Sequence, residues 1–128
     1  MTNTLNNIII INRGDSFDFD LTINFTEDER YILTGSDTIY FGIMDPSQPF
    51  EQALVRKKYT VANTDAMGNL VISIKPEDTL DLLPGRYYYA VKLHMKHPEI
   101  DANTGEETGK IIDKVYTIIN KTKFIICD

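Results

Sequence analysis

Apolar and polar residues alternate with a period of two along most of the chain. The clearest run is 16–25, where Phe17, Phe19, Leu21, Ile23 and Phe25 are separated by Asp18, Asp20, Thr22 and Asn24. Successive side chains of a strand point to opposite faces, so this run predicts a strand with one buried and one wet side. Ile8 to Ile11 predicts a first strand, apolar on both faces, and Asn12-Arg13-Gly14-Asp15 is turn chemistry. Thr26 with Glu29 three residues on predicts a short capped helical turn over 26–30. In 38–44, Ile39, Phe41 and Ile43 take one face while Tyr40 and Met44 take the other.

A weaker strand is expected over 54–61, with Val55, Tyr59 and Val61 facing inward. Another follows over 70–75, with Leu70, Ile72 and Ile74 inward. Pro76 opens a single helical turn before Pro84-Gly85. Residues 86–95 form a long strand with Tyr87, Tyr89, Val91, Leu93 and Met95 on one side. A polar loop is expected over 97–109, then a strand over 110–119 with Val115, Thr117 and Ile119 opposite Lys114, Tyr116 and Ile118. A last short strand follows over 123–127. Seven or eight strands, one or two helical turns and no long helical period predict an all-β domain, an antiparallel sandwich spanning 1–128.

The totals narrow the function. The 128 residues suffice for one domain, and 42% apolar residues can fill a core. A net charge of −6 repels phosphate backbones, so no nucleic-acid partner is expected. The single cysteine, Cys127, excludes an internal disulfide and suits synthesis in a reducing cytoplasm. The start, MTNTLNNIIIIN, has neither the basic flank of a signal peptide nor the length of a membrane span, so no membrane partner is expected.

Candidate chemistry is sparse. Arg13-Gly14-Asp15 matches an adhesion tripeptide, but a turn accounts for it. Asp18 and Asp20 share a strand face and could serve acid–base chemistry or hold a cation; exposed alternating carboxylates also protect a strand from mispairing. Asp101-x-Asn103 echoes a calcium loop, yet glycine comes at the fifth position and Ile112 stands where the closing glutamate belongs. His94 and His97 fall on opposite faces of a strand, which argues against shared metal ligation. Cys127 has no neighbouring histidine in sequence to activate it. No phosphate loop or nucleophile–base motif is present, and no enzyme activity, metal or cofactor is expected. Tyr40, Tyr88 and Tyr116 lie opposite the expected core faces, and exposed tyrosines are enriched at interfaces.

Three stretches together carry a resemblance: RGDSFDFDLTINF, GNLVISIKPEDTLDLLPGRYYYAVKL and GKIIDKVYTIINKTKFII. In the second, a strand leads to Asp78-Thr79, then Leu82, then Pro84-Gly85 and a tyrosine-rich strand. This order, from Arg13 to Ile119, resembles small immunoglobulin-like sandwich proteins of tailed bacteriophages and prophages, and is similar to the N-terminal domain of phage baseplate upper proteins. The resemblance implies a non-enzymatic virion component: a baseplate, tail or capsid-decoration adaptor. It would be made in the host bacterial cytoplasm, act as a free-standing module, and form a homo-oligomer with other virion proteins. The docking elements expected are the N-terminal segment 1–12 with Ile8, Ile9, Ile10 and Ile11, the segment Phe124, Ile125 and Ile126, and the tyrosines Tyr40, Tyr88 and Tyr116. The alternative is a small ligand- or carbohydrate-binding module, with tyrosines as its platform in a chain that has no tryptophan.

Overall fold

A computed structural model describes residues 7–26 and 28–128. The rest of the expected docking segment, 1–6, and Glu27 lie outside the described residues. The fold is all-β. Nine strands are formed among the described residues: β1 Ile9–Asn12, β2 Phe17–Leu21, β3 Asn24–Thr26, β4 Glu29–Arg30, β5 Asp37–Met44, β6 Val55–Tyr59, β7 Leu70–Ile74, β8 Gly85–Ile100 and β9 Glu107–Cys127. The helical pieces are α1, Pro76–Leu80, and two 3-10 turns at Phe50–Gln52 and Val61–Asn63.

Five strands form one sheet in the order β1-β9-β8-β5-β6, and two-stranded ribbons pair β2 with β7 and β3 with β4. The large sheet is not wholly antiparallel, because β1 runs parallel to the end of β9. The alternation read from the sequence sets the core. Ile39, Phe41, Ile43, Tyr87, Tyr89, Val91 and Leu93 line one face of the sheet, and Leu70, Ile72 and Ile74 face them from β7. The Phe19 ring of β2 lies 6.2 Å from Phe41 and 6.1 Å from Tyr89, so the β2–β7 ribbon packs on that inner face.

Several expectations are corrected. The run 16–25 is two strands, broken after Leu21, and Phe25 is exposed. The expected helical turn over 26–30 is a hairpin in which Thr26 pairs with Glu29; so short a segment nucleates a helix poorly. Strand β6 stops at Tyr59, and Val61 is exposed in a 3-10 turn. The loop expected over 97–109 is mostly strand: β8 continues to Ile100, and only the tip around 101–106 turns. The two strands expected at the C-terminal end are one, β9.

The connections carry the polar ties. Gly14, at φ 83°, donates its N–H to the fully buried Thr79 Oγ1 at 2.9 Å, fastening the β1–β2 turn to α1. Asp78 accepts from Lys75 N at 2.7 Å and pairs with Lys57 Nζ at 2.6 Å, joining α1 to β6. Tyr87 Oη donates to Leu83 O at 2.6 Å across the corner that starts β8. The carboxylate of the buried Asp37 accepts from Tyr31 Oη and from Thr34 N.

Replacing Thr79 by Val removes the acceptor of a part-buried amide while keeping the shape. The loss expected is about 1–3 kcal/mol, read as a lower urea midpoint with an unchanged slope. Burial pushes the Tyr89 phenol up from 10.0 to about 12, and burial with the Asp37 carboxylate does the same to Tyr31. Both groups favour the protonated form in the folded state. Their stability is therefore fully present below about pH 10 and is lost as pH rises towards about 12. Circular dichroism on alkaline titration reads this loss, and Tyr31→Phe with Tyr89→Phe should flatten it between those limits.

Candidate interaction surfaces

The register of the large sheet decides which face each side chain takes. On its outer side lie Tyr40 with Lys58 and Lys92, Gly42 with Arg56 and Ala90, Met44 with Tyr88, and Tyr88 with Lys123. Arg86 pairs with Ile125, and His94 with Val115, on the same side. Asn120 and Lys121 lie beside Ala90 and Lys92. Tyr40 and His94 meet edge to face, their ring centroids 4.7 Å apart.

After β5 the chain turns back over this face. Phe50 lies beside Gly42, and Lys92 Nζ sits 5.0 Å from the Phe50 ring centre, a cation–π distance. Lys121 Nζ donates to Gln48 O at 2.7 Å, fixing the segment from the far side. Phe50 thereby separates two clefts. One, of about 210 Å³, includes Tyr40, Gly42, Arg56 and Lys58 in its walls; the other, of about 360 Å³, includes Ala90, Lys92, Thr117 and Lys121. Gly42 is required here for space: a Cβ would lie 3.0 Å from both the Phe50 ring and Ala53 Cβ.

The second surface is an arm. Strand β8 pairs with β5 only as far as Met95, and β1 covers β9 only from Phe124 to Cys127. Beyond Met95 the β8–β9 hairpin runs on with no third strand among the described residues, for roughly 17 Å at the antiparallel rise per residue. Its two faces mix Lys96, His97, Glu99, Lys110 and Asp113 with a few exposed isoleucines. Ile100 is 53% exposed and Ile111 63%, with Ile112 also exposed; Val115 and Tyr116 are exposed at the base of the arm, opposite His94 and Leu93. Among the described residues neither edge pairs with a further strand along this length, though Lys96 N donates to Ser36 O at 3.2 Å at its start, and the far edge of β9 is likewise unpaired up to Lys123.

The expected docking residues divide. Ile9, Ile11, Phe124 and Ile126 are buried core residues, because β1 pairs with β9 and turns these four inward; they are withdrawn from a docking surface. Ile8 and Ile10 are exposed, and Ile125 is half-buried on the outer side. Tyr40 and Tyr88 are half-buried on the outer face. Tyr116 is not with them. The β8–β9 register slips by two residues between Tyr89 and Lys92, so Tyr116 comes opposite the inward Leu93 while Ile118 is buried. Tyr116 meets Phe25 edge to face at 5.1 Å, and Phe25 meets Tyr31 at the same distance.

The polar candidates have structural partners. Asp18 and Asp20 are exposed on β2, opposite Ser73 and Val71. Asp101 Oδ1 accepts from Asn103 N at 2.8 Å, an Asx turn at the arm's tip, so its spacing follows from the turn. Arg13 pairs with Asp128 at 3.1 Å. His97 lies opposite Ile112, across the hairpin from the face of His94. Cys127 is half-buried at the end of β9. Among the described residues no group of three or more His, Cys, Asp or Glu is placed to hold a metal ion. Sequence reasoning missed Phe50, Arg56, Lys58, Lys92, Lys121 and the arm; the even-numbered cations of 86–96 were the available signal.

Compared with protein-family models, curated proteins and solved structures, the chain has no match. Gly42→Val should push Phe50 off the sheet and cost about 1–3 kcal/mol by overpacking. The measurement is thermal unfolding, with the Phe50 ring shifts followed by NMR.

Proposed function

We propose that the protein is a non-enzymatic structural adaptor of a bacteriophage or phage-like particle, working by burial of surface against neighbouring virion proteins. The observation that carries this reading is the β8–β9 arm. A two-stranded arm with Ile100, Ile111 and Ile112 exposed, Val115 and Tyr116 exposed at its base, and no third strand beyond Met95 among the described residues is an aggregation hazard for a protein that stays alone. It is useful where a fixed neighbour pairs with it or covers it.

The immunoglobulin-like part of the reading has its own support. The order β9-β8-β5-β6 matches G-F-C-C′ of a variable-type domain, and β2 with β7 matches B with E. The Tyr87 to Leu83 hydrogen bond has the position of a tyrosine corner at the start of strand F. The sequence resemblance to phage baseplate upper proteins passes through those same residues.

The test is quantitative mass spectrometry of purified particles from the source strain. A chain-to-major-capsid ratio near one supports a capsid or tail-tube coat, and a few per cent supports a baseplate, neck or portal place. A variant in which a two-residue turn replaces 98–111 should keep its thermal midpoint within a few degrees and vanish from particles. Absence of the native chain from intact particles overturns the proposal. The cleft between Tyr40 and Phe50 favours the second reading, a carbohydrate-binding module, which glycan binding lost on Tyr40→Ala would support.

A further inference from the structure

The large sheet and the β2–β7 ribbon turn opposite charges to solvent. On the outer face of the sheet, up to the base of the arm, register places Arg56, Lys58, Arg86, Lys92, Lys121 and Lys123. Among the described residues the one carboxylate seated among them is Glu51, in the wall of both clefts. Lys96 farther out is matched by Asp113 across the hairpin. Six cations against one carboxylate make this face +5, and a chain total of −6 leaves −11 for everything else. The far side of the molecule carries much of that. Asp18 and Asp20 are the outward residues of β2, their partners Ser73 and Val71 are uncharged, and Asp15, Glu77 and Asp81 are exposed on the turn and helix beside them. Lys75 and Arg13 are exposed cations at that edge, Arg13 paired with Asp128, and Lys57 and Lys58 reach a cleft they share with Lys75 and Ser73.

An acidic protein has no electrostatic reason to gather six of its thirteen lysines and arginines on one sheet face. Spread among nineteen carboxylates, they would neutralise the surface better. Segregation is useful where another surface must be attracted in one orientation. The occupant that matches in sign and is present at every copy is the chain's own acidic side.

We propose that the basic outer face of the five-stranded sheet, around Tyr40, Phe50 and Tyr88, docks the Asp18/Asp20 face of a second copy, head to tail. This names a partner within the structural role proposed above and rests on it. Such a contact is heterologous: it closes into a ring if the rotation between copies divides a circle, and otherwise continues as a stack. The aromatic groups form the half-buried centre and the cations the rim.

The experiment is sedimentation velocity of the full chain at about 50 mM and about 500 mM salt, where the Debye length falls from about 14 Å to about 4 Å. Self-association should be present at low salt and at least about tenfold weaker at high salt. Lys58→Glu with Lys92→Glu should abolish it, and so should Asp18→Lys with Asp20→Lys. Mixing the two variants should restore an alternating assembly, since each then offers what the other lacks; that outcome excludes misfolding as the cause of either loss. A monomeric native chain at low salt and high concentration overturns the proposal, as does a mixture that stays monomeric. Salt-sensitive binding of a DNA duplex on the same lysines without self-association also overturns it. None of these outcomes touches the presence of the chain in particles, so the structural reading stands or falls separately.

Discussion

A strand in the middle of a sheet can be shared only as far as both its neighbours reach. Strand β8 has sixteen residues, and β5 pairs with eight of them. Its other neighbour, β9, has twenty-one and follows it the whole way. The mismatch fixes most of what is distinctive here. Where β5 and β8 overlap, the inward residues are Ile39, Phe41, Ile43, Tyr89, Val91 and Leu93, all nearly inaccessible, and the core sits there. Past Met95 no third strand pairs with β8 among the described residues, and the hairpin leaves the body as an arm. Its base is braced from one side by the ring contacts of Tyr116 with Phe25 and Phe25 with Tyr31, whose hydroxyl is held by Asp37.

Much of the body was legible because period-two alternation is a direct record of one-sided burial. Leu70, Ile72, Ile74 and the odd residues 87–93 declared their faces without ambiguity, and they occupy them. The failures share a cause: places where pairing partners, not the local pattern, decide. Between Tyr89 and Lys92 the register of β9 slips twice against β8, so a parity carried through 115–119 cannot hold: Ile119 packs against the core as expected, but Ile118 is buried too and Val115 is exposed. Residues 97–109 look like a loop because His, Pro, Glu, Asn and Gly disfavour strands in general. They are strand on both sides of the tip because β8 and β9 hold each other in register by backbone hydrogen bonds, which are indifferent to side-chain type.

The candidate surfaces were less legible than the core for the same reason. A charge run such as Arg56-Lys57-Lys58 reads as one basic stretch. In the sheet its members part company: Lys57 turns inward to Asp78, while Arg56 and Lys58 join the outer face. Which cations from β6, β8 and β9 become neighbours depends on register between strands tens of residues apart, and no single segment contains it. Four isoleucines in a row likewise leave open whether two or all of them are buried; the parallel pairing to β9 decides for Ile9 and Ile11.

The two surfaces make different physical demands. The arm carries charges of both signs, Lys96, Glu99, Glu107, Lys110 and Asp113, so what it offers beyond them is the short-range burial of Ile100, Ile111 and Ile112 and backbone unpaired among the described residues. The outer face presents charge with aromatic rings set among it. Its field reaches about a Debye length into solution and can orient a neighbour before contact. Gly42 shows how closely the second is built, since the absence of one side chain lets Phe50 lie against the sheet and divide the clefts. In the proposed assembly the two surfaces would complement each other: long-range attraction would set the geometry, and burial of the arm would then make separation slow.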